Sequence, residues 1–131
     1  MAAAFQMTYL PDTNILIDVL NRKNETGELL SRLVADGHEL ACCAVTVAEV
    51  HSGIHPKDSP AVERFLSSLR WYDITPAVAV RAGQIRYAQA RQGITLALPD
   101  TLIAALAMEY RLTIITNNRR HFSIPGLSIY P

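Results

Sequence analysis

The element that decides the fold is the stretch YLPDTNILIDVL, residues 9–20. A short apolar lead-in reaches Asp12, and apolar side chains then recur at helical spacing from Ile15 to Leu20. This pattern predicts a strand that passes into a helix, with a carboxylate where the two meet. In an open α/β sheet, ligands bind beyond the carboxyl ends of the strands, so Asp12 is a candidate site residue. Asp is also a preferred N-cap, and this stretch alone leaves both roles open.

The composition is that of an ordinary globular domain. The chain has 131 residues, of which 50% are hydrophobic and 18% charged, and this length predicts a single domain spanning residues 1–131. Twelve Lys and Arg residues balance twelve Asp and Glu residues. Because the net charge is zero, a nucleic-acid partner has to be argued from a local site.

Three further features bear on the cellular setting. The Ala-rich segment at residues 1–6 lacks the basic and apolar regions of a signal peptide, and it fits either a cloning remnant or a frayed native extension. No apolar run approaches the ~18 residues of a membrane helix, so we expect no membrane partner. Cys42 and Cys43 are adjacent in an apolar run, where they predict small buried hydrophobes in a reducing cytoplasm.

Short apolar runs alternate with longer amphipathic runs along the rest of the chain. Strands are predicted at residues 39–45, 71–74 and 113–116, with a short edge strand at 127–129, and helices are predicted to begin near Glu25, Thr46, Ser59, Thr75 and Pro99. Strands separated by helices imply βαβ crossovers. The sequence therefore predicts an α/β fold, a three-layer α/β/α sandwich with a mainly parallel central sheet.

Three acids fall at strand-to-helix joints or in the first turns of helices in this scheme. Asp12 follows the first strand, Glu49 lies near the start of the helix after the second, and Asp100 begins a later helix. Carboxylates gathered at one edge of a sheet repel one another unless they are protonated or neutralised by a cation. Mg²⁺ suits such a set, because it prefers carboxylates, waters and phosphate oxygens.

Glu49 and Asp100 each also have a structural explanation, and two histidines suggest a different metal site. Residues 46–49, TVAE, match a capping box that would make Glu49 a helix cap. Asp100 could favour the positive end of a helix dipole. His51 and His55 are spaced like zinc ligands but lack the glutamate base of a zincin helix. The joint placement of the three acids favours the metal site.

Four blocks resemble PIN domains, and most closely the VapC-type toxins of toxin–antitoxin pairs. The blocks are DTN at 12–14, TVAEV at 46–50 followed by Gly53, LPDTLIAA at 98–105, and TNN at 116–118 followed by Phe122. They occur in order over essentially the whole chain. The resemblance implies a PIN-like fold and a cytoplasmic endoribonuclease that depends on Mg²⁺ or Mn²⁺.

The resemblance also implies roles for individual residues. Asp12, Glu49 and Asp100 match the metal-binding catalytic acids. Asn118 stands where the family often has a fourth acid, and its neutral carbonyl leaves the number of metal ions, one or two, open. Asn14 and Thr116 match polar positions that orient the acids or a water.

The implied partners are RNA, a VapB-type antitoxin and a second copy of the chain in a homodimer. Arg119, Arg120 and His121 follow Asn118 and fit either RNA phosphate contacts or a solvated loop. Two alternatives remain: a catalytically inactive PIN-like binding module, which Asn118 favours, and a small phosphoesterase. The second lacks the expected Gly-rich loop or nucleophile elbow.

Overall fold

The computed structural model describes residues 6–131, and its strands and helices alternate as the sequence predicts. In chain order the elements are β1 (Thr8–Pro11), α1 (Thr13–Leu20), α2 (Asn24–Ala35), β2 (Glu39–Cys43), α3 (Ala44–Ser52), α4 (Ser59–Ser67), β3 (Arg70–Tyr72), α5 (Pro76–Arg91), α6 (Leu98–Tyr110) and β4 (Thr113–Ile115), with 3₁₀ turns at Pro56–Asp58 and Arg119–Phe122. The extension at residues 1–6 falls, apart from Gln6, outside the described residues. None of the helices in this range has the length and apolarity that a bilayer crossing requires.

The four strands form a parallel sheet in the order β3, β2, β1, β4. The strand β1 is central, and its Tyr9 pairs with Leu40 on one side and Thr113 on the other. Because the strands are parallel, the residues that follow them lie at one edge of the sheet. The predicted edge strand at 127–129 is wrong, since in its place Ile129 forms an isolated parallel bridge to Ile114.

Helices cover both faces of this sheet, because alternate strand residues point to opposite sides. Leu10 and Ile114 pack with α5 and α6 on one face, and Tyr9 and Cys42 pack with helices from α1 to α4 on the other. The predicted three-layer α/β/α sandwich is therefore confirmed. Cys42 and Cys43 are fully buried, and burial raises the pKa of the Cys42 thiol to about 12, so this side chain remains an uncharged hydrophobe.

The start of α3 differs from the prediction. β2 ends at Cys43 and α3 begins at Ala44, so Cys43 is both the last strand residue and the N-cap. The Thr46 hydroxyl accepts a hydrogen bond from the Cys43 N–H (3.1 Å) and donates one to the Cys43 carbonyl (2.9 Å). Glu49 consequently lies well inside the helix, and the capping box predicted for residues 46–49 is wrong.

The bounds of β3 also differ from the prediction. β3 was predicted at 71–74 but spans Arg70–Tyr72, because its pairing with β2 stops where Cys43 enters α3. The helix α4 begins at Ser59, as predicted, and a 3₁₀ turn precedes it. Gly37 follows the end of α2 with a φ of 92°, a conformation that glycine adopts without a steric penalty.

Candidate metal centre

The fold places the three predicted acids around the carboxyl-terminal edge of the sheet. Asp12 follows β1, Glu49 lies on α3 after the neighbouring strand β2, and Asp100 lies in the first turn of α6. The acids also affect one another electrostatically. Burial raises the pKa of Asp100, and the negative charges of Glu49 and Asp12 raise it further. The structure therefore brings together residues that are separated widely in the sequence.

Asp12 caps α1 and also contacts the residue that follows β4. Its Oδ1 accepts a hydrogen bond from the Ile15 N–H at 3.0 Å, and its Oδ2 accepts one from the Thr116 hydroxyl. The residue is only 5% exposed. Burial raises the pKa of this carboxyl, although both hydrogen bonds act in the opposite direction. The capping role is therefore confirmed, and the metal-binding role stays a prediction.

Thr116 connects the end of β4 to this carboxylate. Its hydroxyl donates to Asp12 and accepts a hydrogen bond from the Asn118 N–H at 2.9 Å. Thr116 therefore contacts Asp12, and its orienting role at a metal site stays a prediction. Asn118 is half-buried in the turn that this hydrogen bond closes.

Thr13, the neighbour of Asn14, has a side-chain contact with one of the acids. Asn14 is exposed on the first turn of α1, and its backbone N–H lowers the pKa of Asp12, so an orienting role for its side chain stays a prediction. Thr13, which the sequence reasoning missed, donates its hydroxyl hydrogen to Oε1 of Glu49 at 2.6 Å. The signal that could have identified Thr13 is a hydroxyl side chain directly after the first acid.

A basic turn lies beside Asp100. The Nδ1 atom of His121 is 3.6 Å from Oδ2 of Asp100, and its charge lowers the pKa of that carboxyl against the larger effect of burial. Buried Phe122 anchors this turn, while Arg119 and Arg120 are exposed. Arg119 also donates to the Tyr130 carbonyl at 3.2 Å. The turn thus presents basic side chains next to an acidic centre.

The donor set matches a hard divalent cation in its chemistry. Within residues 6–131, no three Asp, Glu, His or Cys side chains are close enough to enclose a cation as they stand. Mg²⁺ does not need such a cage, because it commonly binds through one or two carboxylates and keeps several waters. In the same range, only one basic side chain, His121, lies within ion-pair distance of any of the three acids, and the acid that it contacts is Asp100. The carboxylates fit Mg²⁺ or Mn²⁺ better than a four-ligand zinc site.

The histidine pair of α3 and the following loop has separate contacts. His51 lies 3.4 Å from the Ser59 hydroxyl, and Nδ1 of His55 accepts a hydrogen bond from the Lys57 N–H at 3.1 Å. The latter bond makes His55 the cap of the 3₁₀ turn that follows it.

Comparisons with known proteins identify the family of this chain. The sequence profile of the PIN domain matches residues 9–127. The chain is 33% identical over 121 residues to "Ribonuclease VapC2" of Haemophilus influenzae, which covers 88% of this chain and 90% of that protein. It is 31% identical over 125 residues to the "tRNA(fMet)-specific endonuclease VapC" of Shigella flexneri, covering 92% of this chain and 93% of that protein.

Solved structures show the same likeness. The fold is similar to a chain in the crystal structure of VapBC2 from Rickettsia felis bound to a promoter DNA fragment, with a TM-score of 0.83, 26% identity and coverage of 95% of this chain and 98% of that one. A chain in the DNA-bound VapBC structure from Salmonella typhimurium has a TM-score of 0.81, 27% identity and the same coverage. This chain, whose acids lie at one sheet edge, belongs to the PIN-domain family and is similar to VapC-type members.

Proposed function

We propose that this chain is a metal-dependent endoribonuclease and the toxin of a VapBC-type toxin–antitoxin pair, acting as a single PIN-like nuclease domain over residues 1–131. The observation that carries the proposal is the buried carboxylate of Asp12, which lies at the sheet edge with Glu49 and Asp100 close enough to interact electrostatically. Relatives that share about a third of the sequence are named ribonucleases. Carboxylates buried together without a compensating cation cost free energy, which a bound metal ion would recover.

The residues of the centre would have different roles in phosphodiester hydrolysis. Asp12, Glu49 and Asp100 would hold Mg²⁺ or Mn²⁺. When bound, the cation supplies Lewis-acid polarisation of the phosphate and a lowered pKa for an attacking water. Thr116 holds Asp12 in place through its hydroxyl. Arg119 and Arg120 in the neighbouring basic turn would contact RNA phosphates.

Asn118 bears on the number of metal ions. Its side chain offers a carbonyl oxygen but no negative charge, so a second cation would be held with one carboxylate fewer than in relatives that have an acid at this position. Cleavage with a single ion, and a second ion bound more weakly, is the arrangement we favour.

The decisive experiment compares the Asp12→Asn and Asp100→Asn variants with the parent chain. Cleavage of a panel of structured RNAs is measured with Mg²⁺ titrated from zero, alongside DNA and a phosphomonoester. Each variant should lose at least about a hundredfold in rate, because several kcal/mol of transition-state stabilisation depend on the metal. Asp36→Asn, an exposed acid after α2 at the opposite edge of the sheet, is the matched control.

Three results would refute the assignment. Unimpaired RNA cleavage by both variants would exclude the acids as the centre. A parent chain that cleaves only the monoester would indicate a phosphoesterase, and one that cleaves nothing would indicate the non-catalytic binding module.

An antitoxin segment has a candidate docking surface away from the acids. A groove of ≈ 830 Å³ runs between α2 and α4, with Leu30, Val34, Phe65 and Leu69 along it and Arg70 at its edge. Val34 is 52% exposed although it belongs to an apolar helix face. The structural neighbours are VapBC complexes, and we propose that a VapB-type partner covers this groove.

A second copy of the chain has a different candidate surface. Val80 and Tyr87 on α5 are 59% and 62% exposed, and Leu98 at the start of α6 is 47% exposed. Tyr87 and Leu98 line one pocket, and Val80 lies about two turns before Tyr87 on α5. We propose that a homodimer buries these side chains. Finally, two free buried cysteines support a cytoplasmic location, where thiols stay reduced.

A further inference from the structure

The hydroxyl of Thr13 connects two elements of the candidate metal centre. Thr13 is the first residue of α1 and is half-buried, and its hydroxyl donates to Oε1 of Glu49 on α3 at 2.6 Å. Asp12 precedes it in the chain but bonds elsewhere, to the Ile15 N–H and to Thr116. Adjacent residues at one strand-to-helix joint therefore engage two different elements, β4 through Asp12 and α3 through Thr13.

We propose that Thr13 is a positioning residue that orients Glu49 for metal binding, an inference that rests on the proposed function. Glu49 has three rotatable side-chain bonds and is half-buried inside α3, without the helix-cap contacts that the sequence predicted for it. A carboxylate with that freedom must lose rotamer entropy before it can act as a ligand. The Thr13 hydroxyl restricts the side chain in advance, because a charge-assisted hydrogen bond to Oε1 selects one rotamer.

The Thr13 hydrogen bond also makes the two carboxylate oxygens of Glu49 different from each other. The hydroxyl occupies one lone pair of Oε1, which leaves both lone pairs of Oε2 available to a cation. Thr116 acts on Asp12 in the same way, by donating to one oxygen of that acid. Two threonines, one after β1 and one after β4, thus each hold one acid of the centre, as ligand-orienting hydrogen bonds do around metal sites.

The test measures Mn²⁺ affinity without RNA, from the electron paramagnetic resonance signal of free Mn²⁺. Thr13→Val keeps the shape of the side chain and removes the donor, so the variant should bind Mn²⁺ about tenfold more weakly. Thr13→Ser restores the donor and should recover most of the affinity. Thr113→Val is the control, because it removes a threonine hydroxyl contact with Ser128 (3.0 Å) at the opposite end of β4.

A double-mutant cycle separates positioning from mere stability. In an E49Q background, T13V should have little further effect on Mn²⁺ affinity, because the two residues act through one bond. A T13V variant that loses thermal stability but binds Mn²⁺ like the parent overturns the role of Thr13, and so does additivity with E49Q. A parent chain that binds no Mn²⁺ and cleaves no RNA overturns the proposed function as well, and the two failures are thereby distinguished.

Discussion

The Thr116 hydroxyl donates a hydrogen bond to Oδ2 of Asp12, a residue 104 positions away in the sequence. The two residues meet because β1 and β4 are neighbours in the sheet, with Pro11 paired to Ile115. Each residue follows the end of its strand directly. The bond therefore depends on the pairing of the first and last strands.

Removal of this hydroxyl should weaken the centre. Thr116→Val deletes the donor to Asp12 while keeping the side-chain volume, and the loss of a ligand-orienting hydrogen bond costs roughly 10–100-fold in metal affinity or activity. The rate of RNA cleavage should fall at both saturating and limiting Mg²⁺. Thr116→Ser should retain most of the activity. Equal rates for the valine and serine variants would contradict the orienting role.

Asp12 should make the metal-free protein less stable as pH rises. Its folded pKa is raised above the usual value of 3.8 by burial, so the unfolded chain releases this proton first. The stabilising effect of the protonated form is present below pH 3.8 and is lost as pH rises towards the folded pKa. In a chelating buffer at pH 7, Asp12→Asn should therefore melt at a higher temperature than the parent, and the difference should shrink towards pH 4.

A divalent cation should reverse that order. At a Mg²⁺ concentration ten times its dissociation constant, binding stabilises the parent by about 1.4 kcal/mol, which corresponds to a rise of about 3–6 °C in melting temperature for a chain of this size. Asp12→Asn should show a much smaller rise. Equal shifts in both proteins, measured by calorimetry, would place the bound cation elsewhere.

His121 should set the acid side of the pH–rate profile. A protonated His121 lowers the pKa of Asp100, which burial otherwise raises. Replacement of His121 by Ala should therefore leave Asp100 protonated up to a higher pH. The acid limb of the pH–rate profile should move to higher pH. His38→Ala, remote from Asp100 beside Tyr9, should leave that limb in place. An unshifted limb in H121A would show that the 3.6 Å contact has no electrostatic effect on catalysis.

Thr46 should be important for stability rather than for chemistry. Its side chain is fully buried and bonds the backbone of Cys43 at the start of α3. Thr46→Val would leave the Cys43 N–H without that partner, at a cost of about 1–3 kcal/mol in the free energy of unfolding. Thr46→Ser, which removes only a methyl group, should cost about 0.8 kcal/mol. Urea denaturation measures both, and a T46V variant as stable as the parent would argue against this helix start.

Much of the fold was predictable because its signals are local. The alternation of apolar strands with amphipathic helices predicted the parallel three-layer sandwich, and the immediate neighbours of Asp12 and Asp100 placed these two acids at the starts of helices. The start of α3 was less accessible. Residues 46–49 match a capping box in sequence, but β2 passes into α3 without a loop, so the helix begins two residues earlier and Thr46 takes a different role.

The sequence by itself determined the type of sheet and the presence of acids at its carboxyl-terminal edge, since hydrophobic period and strand-to-helix joints are read from adjacent residues. Only the tertiary structure decided how those acids are held. Thr13 reaches Glu49 across 36 positions and Thr116 reaches Asp12 across 104. Such contacts depend on which strands pair and how their helices pack, and local sequence pattern contains no information about the distance between two side chains that only folding brings together.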